Sequence, residues 1–446
     1  MVPPAQTSLT DHIMTAAPPI ETGGSVAAAM RPVIEGSFGR TLPIRFQFWD
    51  GSTLDPPDQT VATLRFNSPD AVRRMLWMPN ELGLGRAYVS GDIDVDGDLF
   101  DVVVAFRDAN PEVESAARAW RVLPAAVIAA KRVGALGRPL PPPPEEARLS
   151  GWRHSLRRDA NAIGHHYDVG NNFYELVLGP TMTYSCGRFA QPDATLEDAQ
   201  TAKHDLVCRK LGLHEHPGSR LLDVGCGWGS MAIHAALHYD TKVVGITISK
   251  AQAEFARKRI SEAGVVDRVE IRLQDYRDLT GEAFDAVSSV GMSEHVGHGK
   301  IDQYFTTLRS VLVPQGRLLN HAISSVGGST LGPRSFVGRY VFPDGELIDV
   351  GNVVLRMEEA GFEVRDVESL REHYARTLRC WVANLESNWD LAVAMVGEPR
   401  AKIWRLYMAG SAIGFEDGGI GIHQVLGVLP ADTGATGMPP TRRDWG

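Results

Sequence analysis

The feature that most constrains this chain is a short strand that runs directly into three alternating glycines. Leu221-Leu-Asp-Val224 is a mainly apolar run, and Gly225, Gly227 and Gly229 follow it at every second position. The run from Ser230 to Leu237 then carries apolar residues at helical spacing. This layout leaves backbone N–H groups open at a helix N-terminus, and glycine lets a ligand approach the backbone. The stretch therefore predicts a ligand site at a strand-to-helix turn.

The acid before the first glycine distinguishes this loop from a dinucleotide site. Dinucleotide-binding loops have the spacing G-x-G-x-x-G, whereas Asp223 begins the pattern D-x-G-x-G-x-G. That pattern resembles the glycine loop of class I methyltransferases, which bind S-adenosylmethionine (SAM). Asp223 would then face the cationic amino acid end of the cofactor. A tight turn without a ligand is the alternative, and the loop by itself leaves the substrate open.

Strands and helices alternate regularly through the second half of the chain. After a helix over residues 199–211, apolar spacing predicts strands separated by helices at Arg220–Val224, Lys242–Thr247, Val269–Leu273, Ala286–Val290 and Gly316–Ala322. Regular alternation predicts a mostly parallel sheet covered on both faces, with ligands at the carboxyl ends of its strands. We therefore predict an α/β fold of the class I SAM-dependent methyltransferase type, Rossmann-like, with a smaller N-terminal α+β domain.

The length of 446 residues favours more than one domain, since single hydrophobic cores stop growing near about 250–300 residues. Alternating apolar residues at Leu42–Trp49 and Val61–Phe66 predict a hairpin in the smaller domain. The prolines from Pro139 to Pro144 mark a stiff boundary. The predicted divisions are a disordered N-terminus (1–38), an α+β domain associated with lipid or membrane (39–138), a Pro-rich and basic linker (139–164), the methyltransferase domain (165–430) and a flexible tail (431–446).

Charge and cysteine content exclude some classes of function. The net charge is −9, so no overall basic field attracts nucleic acid. One local basic run, Arg148–Arg158 around Trp152, is a candidate contact with a membrane surface, and a solvated helix face is the alternative. The four cysteines lack the spacing of a metal site, so no metal is predicted. With no signal segment or membrane-spanning run, we expect a cytoplasmic protein that associates peripherally with membranes.

Several motifs occur in an order that resembles one family. They are His166-Tyr-Asp-Val-Gly-Asn-Asn-Phe-Tyr174, Met182-Thr-Tyr-Ser-Cys186, Asp223-Val-Gly-Cys-Gly-Trp-Gly229, Gly291-Met-Ser-Glu-His-Val-Gly297 and Asn320-His-Ala-Ile323. Together they resemble the cyclopropane fatty acid synthases, including the mycolic acid cyclopropane synthases, over about residues 160–429. The segment Tyr88–Asp94 also resembles the extra N-terminal domain of the bacterial members that act on phospholipids.

The resemblance implies methyl transfer from SAM to the cis double bond of an unsaturated phospholipid acyl chain. The carbocation that results loses a proton from the new methyl group and closes to a cyclopropane ring. In this family the base is a bound bicarbonate ion. The residues that match its site are Cys186, Glu294, His321, Ile323 (through its backbone N–H) and Tyr374. Because two adjacent acids repel, we expect Glu294 and bicarbonate to share or keep a proton.

The resemblance also assigns the cofactor site. The methionine end of SAM would contact Tyr184, Ser185, Asp223, Gly225, Gly227 and Gly229. Thr247 and Gln252 would hold the ribose, and Gln274, Asp275 and Tyr276 would flank the adenine. Ser293 stands where phospholipid-acting members often carry Phe, so we expect it to widen the acyl channel.

Two other functions stay open on the sequence. The same methyl transfer with a hydride shift would yield a 10-methylene fatty acid instead of a ring. A lipid-binding protein without catalysis is an alternative of another class. The expected partners are unsaturated phospholipid acyl chains and a membrane surface, not nucleic acid. Members of the family are often dimers, so a homodimer is a further expectation.

Overall fold

The computed structural model describes residues 24–57, 62–109, 115–147, 170–328, 332 and 335–442. The described residues up to 147 form the N-terminal unit, which is built around a four-stranded sheet. Residues 170–442 contain the C-terminal unit, which is built around a seven-stranded sheet. The predicted membrane contact at Arg148–Arg158 and the first four residues of the motif at His166 lie outside the described residues.

The N-terminal unit packs helices against one sheet with the strand order β2-β1-β3-β4. Its core is aromatic and aliphatic, with Phe46, Phe48 and Phe66 almost fully buried. The elements are α1 (Val26–Phe38), β1 (Arg45–Gln47), β2 (Thr53–Leu54), β3 (Ala62–Phe66), α2 (Pro69–Trp77), α3 (Glu81–Val89), β4 (Ile93–Gly97), α4 (Leu99–Ala109) and α5 (Ser115–Arg132).

Helix α1 corrects the prediction that residues 1–38 are disordered. The Ser25 hydroxyl caps this helix by accepting from the Ala28 backbone N–H at 3.2 Å. Val26, Met30 and Ile34 recur every fourth residue, and all three are buried in the core of the N-terminal unit. The Ala- and Pro-rich composition suggested disorder, but this spacing provides a helix with an apolar face. Residues 1–23 lie outside the described part.

The predicted hairpin between Leu42–Trp49 and Val61–Phe66 is wrong. β1 and β3 run parallel, with Phe46 opposite Leu64. The turn at Asp50-Gly51 instead joins β1 to the short strand β2, which pairs antiparallel with it. β2 therefore occupies the edge of β1 that a hairpin partner would have used, and β3 pairs with the other edge.

The C-terminal unit confirms the predicted parallel sheet. The strand order is β10-β11-β9-β8-β5-β6-β7, in which only β11 pairs antiparallel with its neighbours. The elements are α6 (Asn171–Leu178), α7 (Leu196–Lys210), β5 (Arg220–Val224), α8 (Ser230–His238), β6 (Lys242–Thr247), α9 (Lys250–Glu262), β7 (Val269–Leu273), β8 (Phe284–Val290), α10 (Ser293–Val296), α11 (Ile301–Ser310), β9 (Leu312–Ser325), α12 (Phe336–Tyr340), α13 (Val350–Glu359), β10 (Glu363–Ser369), α14 (Arg371–Ser387), α15 (Trp389–Val396), α16 (Glu398–Glu416) and β11 (Ile420–Val428). The strand order reverses at β5, which places the glycine turn at the switch point where such sheets bind ligands.

Helix α16 joins the two units. The Lys402 ammonium donates to Asp94 Oδ1 at 2.6 Å, and Arg405 donates to the Tyr88 hydroxyl at 3.2 Å. Asp417, directly after this helix, pairs with Arg107 of α4 at 2.5 Å. The N-terminal unit is therefore fixed to the helical side of the C-terminal unit.

The predicted flexible tail also differs from the structure as far as Arg442. The Arg442 guanidinium pairs with the buried Asp366 at 2.5 Å, and Met438 packs against the core beside β5. These contacts could not be predicted from the local sequence, because they join residues that lie far apart along the chain. Among the described residues, no helix is both long and apolar enough to cross a membrane.

Candidate active site

Two cavities meet at the carboxyl ends of the parallel strands. The small cavity has a volume of about 180 Å³ and the large cavity about 1440 Å³. Tyr184, Ser185, Gly291 and His295 line both of them. A ligand in the small cavity therefore lies next to a ligand in the large one.

The small cavity brings together most of the residues predicted for the cofactor. Those that line it are Tyr184, Ser185, Asp223, Gly225, Gly227, Thr247, Gln252, Gln274, Asp275 and Tyr276. Gly229 is the exception. It precedes α8 with a φ of +80°, and a Cβ there would lie 3.3 Å from the Ala256 Cβ of α9. Gly229 therefore allows two helices to pack closely, instead of lining the cavity.

The glycine turn is held open by the neighbouring strand and by the loop after β8. The backbone N–H groups of Gly225 and Cys226 both donate to the Ile246 carbonyl of β6 at 3.0 Å. Gly225 has a φ of +73°, and a Cβ at this position would collide with the Met292 sulfur. The backbone angle favours glycine here, and any side chain would force Met292 to move.

Asp223 is buried at the floor of the small cavity. Its Oδ1 accepts from the Ser288 hydroxyl at 2.7 Å, whereas its Oδ2 has no hydrogen-bond partner among the described residues. Burial raises the pKa of Asp223 to about 6, and the bond from Ser288 opposes that rise. A cationic group at Oδ2 would stabilise the carboxylate, which agrees with a role at the amino acid end of a cofactor.

Polar side chains line the opposite end of the small cavity. The Thr247 hydroxyl donates to Gln252 Oε1 at 2.9 Å, so the two residues predicted to hold the ribose are already in contact. The Asp275 carboxylate is less available to a ligand, because Arg277 already donates to it. The Arg277 backbone N–H donates at 2.9 Å and the Arg277 guanidinium at 2.7 and 2.8 Å. Tyr276 is buried with its ring edge-on to Tyr304. Asp275 thus shapes the loop, and Tyr276 provides an aromatic wall.

The residues predicted for catalysis converge on the large cavity. Glu294, His321, Ile323 and Tyr374 all line it. The Ile323 backbone N–H donates to Glu294 Oε1 at 2.6 Å, while Glu294 Oε2 is buried without a partner among the described residues. Burial raises the pKa of Glu294 to about 7. This carboxyl therefore carries a proton part of the time near neutral pH.

His321 faces the same cavity as a neutral donor. Burial, together with the positive charge of Lys203 and Lys210, lowers the pKa of His321 to about 3. Its Nδ1 lies 3.1 Å from the amide nitrogen of Gln424, and its buried Nε2 has no partner in the described structure. With the amide donating to Nδ1, the single proton of the imidazole lies on Nε2.

Aromatic rings cluster around Tyr184, which lines both cavities. The Tyr184 ring packs against Trp381 with centroids 5.3 Å apart, and its hydroxyl lies 3.1 Å from that of Tyr407. Tyr374 packs between Trp381 and Phe415, at 6.0 and 4.7 Å. Such ring faces attract a cation that develops between them.

Two predicted residues do not reach the large cavity. The Cys186 thiol is fully buried and points at the backbone carbonyls of Gly187 and Leu370, at 3.1 and 3.6 Å. Ser293 is also buried and donates to the Asn320 side chain at 2.8 Å, so the prediction that it widens the acyl channel is wrong. A catalytic role for Cys186 stays a prediction.

Lys203 lines the small cavity and was missed in the sequence. Its ammonium is buried and donates to the Ser185 hydroxyl at 3.0 Å. Burial lowers its pKa to about 7. The signal was present in α7, where Ala199, Lys203 and Leu206 share one helical face, so the lysine lies on the apolar side. A buried lysine with a hydroxyl partner can hold a carboxylate.

Two family models match the chain. One is described as mycolic acid cyclopropane synthetase and matches residues 154–425, and the other is a domain of unknown function (DUF7884) over residues 31–116. The first match contains both the glycine turn and the catalytic candidates. The second falls within the N-terminal unit.

Similar proteins cover nearly all of the chain or its C-terminal unit. A probable fatty acid methyltransferase of Mycobacterium tuberculosis is 42% identical over 412 residues, which are 89% of this chain and 93% of that protein. The tuberculostearic acid methyltransferase UfaA1 of the same species is 31% identical and covers 90% of this chain and 92% of its own length. A crystal structure of mycolic acid cyclopropane synthase CmaA1 with SAH and CTAB superimposes with a TM-score of 0.57 at 34% identity, over 60% of this chain and 98% of that one. The predicted class I methyltransferase fold is confirmed by these likenesses.

Proposed function

Because this chain belongs to the mycolic acid cyclopropane synthetase family, we propose that it transfers the methyl group of SAM to the cis double bond of an unsaturated phospholipid acyl chain and closes a cyclopropane ring. The observation that carries this proposal is the junction of the two cavities. The small cavity has both polar and apolar walls, which suit a nucleoside cofactor, and the large cavity has mainly apolar walls. Glu294 and His321 lie in the large cavity beside residues shared with the small one.

The residues of the small cavity fit SAM, which supplies the methyl group when bound. The partner-free Oδ2 of Asp223 suits the ammonium group of the amino acid end. The Lys203 ammonium and the Ser185 hydroxyl suit the carboxylate at the same end. Thr247 and Gln252 remain for the ribose, and Tyr276 for the adenine. Cofactor binding would thus pair both charges of the amino acid end with buried groups of opposite charge.

The residues of the large cavity fit bicarbonate, which would supply the base for the proton released from the new methyl group. A small anion needs donors, and His321 offers its Nε2 proton while Glu294 offers a carboxyl whose pKa is raised to about 7. Ile323 differs from the prediction, because its N–H is already bonded to Glu294. We assign Ile323 to fixing the Glu294 carboxyl, and Glu294 and His321 to holding the anion.

The aromatic rings around Tyr184 support the carbocation step. Tyr184 lines both cavities and Tyr374 lines the large one, and aromatic ring faces stabilise positive charge. A carbocation at this point would also need a site without water, which would otherwise capture it, and the walls of the large cavity are mainly apolar. No activated Ser or Cys nucleophile is needed, and the Cys186 thiol remains protonated because burial raises its pKa.

A second candidate product is the 10-methylene fatty acid. Two relatives that cover about nine-tenths of this chain are named a probable fatty acid methyltransferase and a tuberculostearic acid methyltransferase, whereas cyclopropane mycolic acid synthase 1 matches 58% of it. Both products share the fold, the cofactor and the methyl transfer. In both, the transferred methyl group loses the proton; they differ in whether a hydride first shifts and moves the positive charge to the carbon that carries this methyl group.

Lipid analysis of a bacterial host expressing the protein tests this function. We expect acyl chains that gain one CH2, and gas chromatography against standards separates a ring from a methylene branch. Glu294→Gln should abolish most of the product, whereas Glu254→Gln, at an exposed position on α9, should not. A methylene product would select the second candidate. Unchanged lipids, in cells where the protein is folded and binds SAM, would overturn both enzyme proposals and favour a lipid-binding protein.

The proposal extends to the membrane, because phospholipid acyl chains lie in a bilayer. The protein would then dock peripherally on that surface in the cytoplasm. Charge reversal of Arg153, Arg157 and Arg158 should lower its binding to anionic vesicles and the salt dependence of that binding. Unaltered vesicle binding would remove this basic run from the proposal.

A further inference from the structure

The large cavity continues from the reaction centre into the N-terminal unit. Beyond Glu294 and His321, its walls include Ile34, Phe46, Leu64, Ile93, Val102 and Ala126. These residues come from α1, β1, β3, β4, α4 and α5, so the cavity reaches between the sheet of the N-terminal unit and its helices. It is therefore not confined to the family's methyltransferase segment.

One face of α16 forms a continuous wall between the two regions. Tyr407, Gly410, Ser411 and Gly414 recur at helical spacing and all line the large cavity. Tyr407 contacts Tyr184 at the reaction centre, whereas the same helix packs against α3 and α4 of the N-terminal unit. A Cβ at Gly410 would meet nothing within 4 Å. Small residues thus keep a passage open along this helix, although glycine costs helix stability.

We propose that the N-terminal unit is an acyl-chain binding site, which holds the methyl-terminal segment of the substrate chain and sets the preferred chain length. This inference rests on the proposed function and specifies where the substrate lies. The double bond would lie between Glu294 and the small cavity, and the hydrocarbon beyond it would follow α16 into the N-terminal unit.

The size and lining of the cavity favour hydrocarbon. Its volume of about 1440 Å³ exceeds the roughly 300–1,000 Å³ of ordinary small-molecule sites and is far larger than the voids of a packed core. Two charged side chains that line the part of the cavity in the N-terminal unit already have partners. Glu81 accepts from the Phe336 N–H, and Arg107 pairs with Asp417. A phosphate headgroup would be buried there without a free counter-charge. The methyl end of the lipid acyl chain is therefore the segment that fits this part of the cavity.

Chain-length selection by matched variants tests this site. Ala126 lines the large cavity, whereas Val127, next to it on α5, is 42% exposed. We expect Ala126→Trp to shift methylation of mixed cis-monounsaturated phospholipids toward shorter chains by about tenfold or more, since a methylene or two in an apolar pocket is worth about 10–200-fold. Val127→Trp should keep the wild-type distribution. A folded Ala126→Trp enzyme with an unchanged distribution would overturn the inference.

A second variant and a direct probe avoid dependence on one substitution. The new side chain of Gly410→Leu would lie in open space on a helix, so this variant should fold. It should also exclude longer acyl chains from the cavity. Photo-crosslinking of the full chain with a fatty acid that carries a diazirine at its methyl end should label peptides of residues 26–132. Labelling confined to residues 170–442 would overturn the inference. Failure of the wild-type protein to modify any lipid, with label still in residues 26–132, would instead overturn only the proposed reaction.

Discussion

Burial sets unusual protonation states for two side chains of the large cavity, Glu294 and His321. The pKa of Glu294 rises to about 7 and that of His321 falls to about 3, in both cases chiefly because burial disfavours the charged form. Near neutral pH both groups are then able to donate a hydrogen bond. A pair of donors in an apolar cavity is suited to an anion, and the proposed base is one.

The raised pKa of Glu294 predicts a dependence of stability on pH. A carboxyl with an ordinary pKa of 4.5 and a folded pKa of about 7 binds more protons when folded, so its contribution to stability is lost as the pH rises through that window. Glu294→Gln should therefore stabilise the fold by about 1–3 kcal/mol more at pH 8 than at pH 5. Denaturant unfolding of both proteins at both pH values measures this difference. An equal effect at pH 5 and pH 8 would contradict it.

The buried Lys203 predicts proton uptake on cofactor binding. Burial lowers its pKa to about 7, so most of it is neutral at pH 8, and a bound carboxylate would restore the charged form. Calorimetry of SAH binding in buffers of different ionisation enthalpy should give an uptake of about one proton at pH 8 and much less at pH 6. Lys203→Met should lose this uptake and bind SAH more weakly. Lys300→Met, which alters an exposed residue of the same cavity, should keep it.

At the scale of elements, the turn after β5 is coupled to the loop that carries Glu294. Gly225→Ala would combine a left-handed backbone with a collision against Met292, so we expect a loss of about 1–3 kcal/mol in stability and weaker SAH binding. Gly264→Ala shares the left-handed φ, at +68°, but has open space around its Cβ. Thermal unfolding and SAH titration of both variants separate the two causes. Equal SAH affinity in both would show that the collision has no effect on the site.

The elements of the C-terminal unit were predictable because their signals are local. The strands at Arg220–Val224, Lys242–Thr247 and Val269–Leu273 agree with the prediction residue for residue. The hairpin error occurred where strand pairing is not local, whereas the missed helix α1 had a local signal in Val26, Met30 and Ile34. The parallel contact of β1 with β3 depends on which strand reaches each edge first, and apolar alternation is the same for parallel and antiparallel neighbours.

At the scale of the whole molecule, the ionic contacts of α16 hold the two parts of the large cavity together. Lys402 is 4% exposed and bonds to Asp94 and Glu398. Lys402→Met should cost about 1–3 kcal/mol, because the partly buried Asp94 loses the charged donor to its Oδ1. Lipid methylation should fall while SAH affinity stays constant, since Lys402 does not line the small cavity.

Denaturant unfolding, SAH titration and lipid product analysis of Lys402→Met test this coupling between the units. Lys250→Met, whose side chain is 80% exposed at the start of α9, is the matched control and should change none of the three. Lipid methylation that survives in a destabilised Lys402→Met protein would show that docking of the N-terminal unit is not needed for catalysis.

The sequence by itself determined the α/β class and the glycine turn, because strand and helix periods and turn glycines are short-range patterns. Most of the site residues that its ordered motifs predicted line one of the two cavities. The tertiary structure decided how those residues act. In the folded chain the Ile323 N–H bonds to Glu294, and Lys203 is buried beside Ser185. Cys186 and Ser293 make hydrogen bonds outside the large cavity. The large cavity also extends along α16 from Glu294 and His321 into the N-terminal unit. These features depend on contacts between residues distant in the chain, and burial, which sets both cavity shape and pKa, exists only after those contacts form.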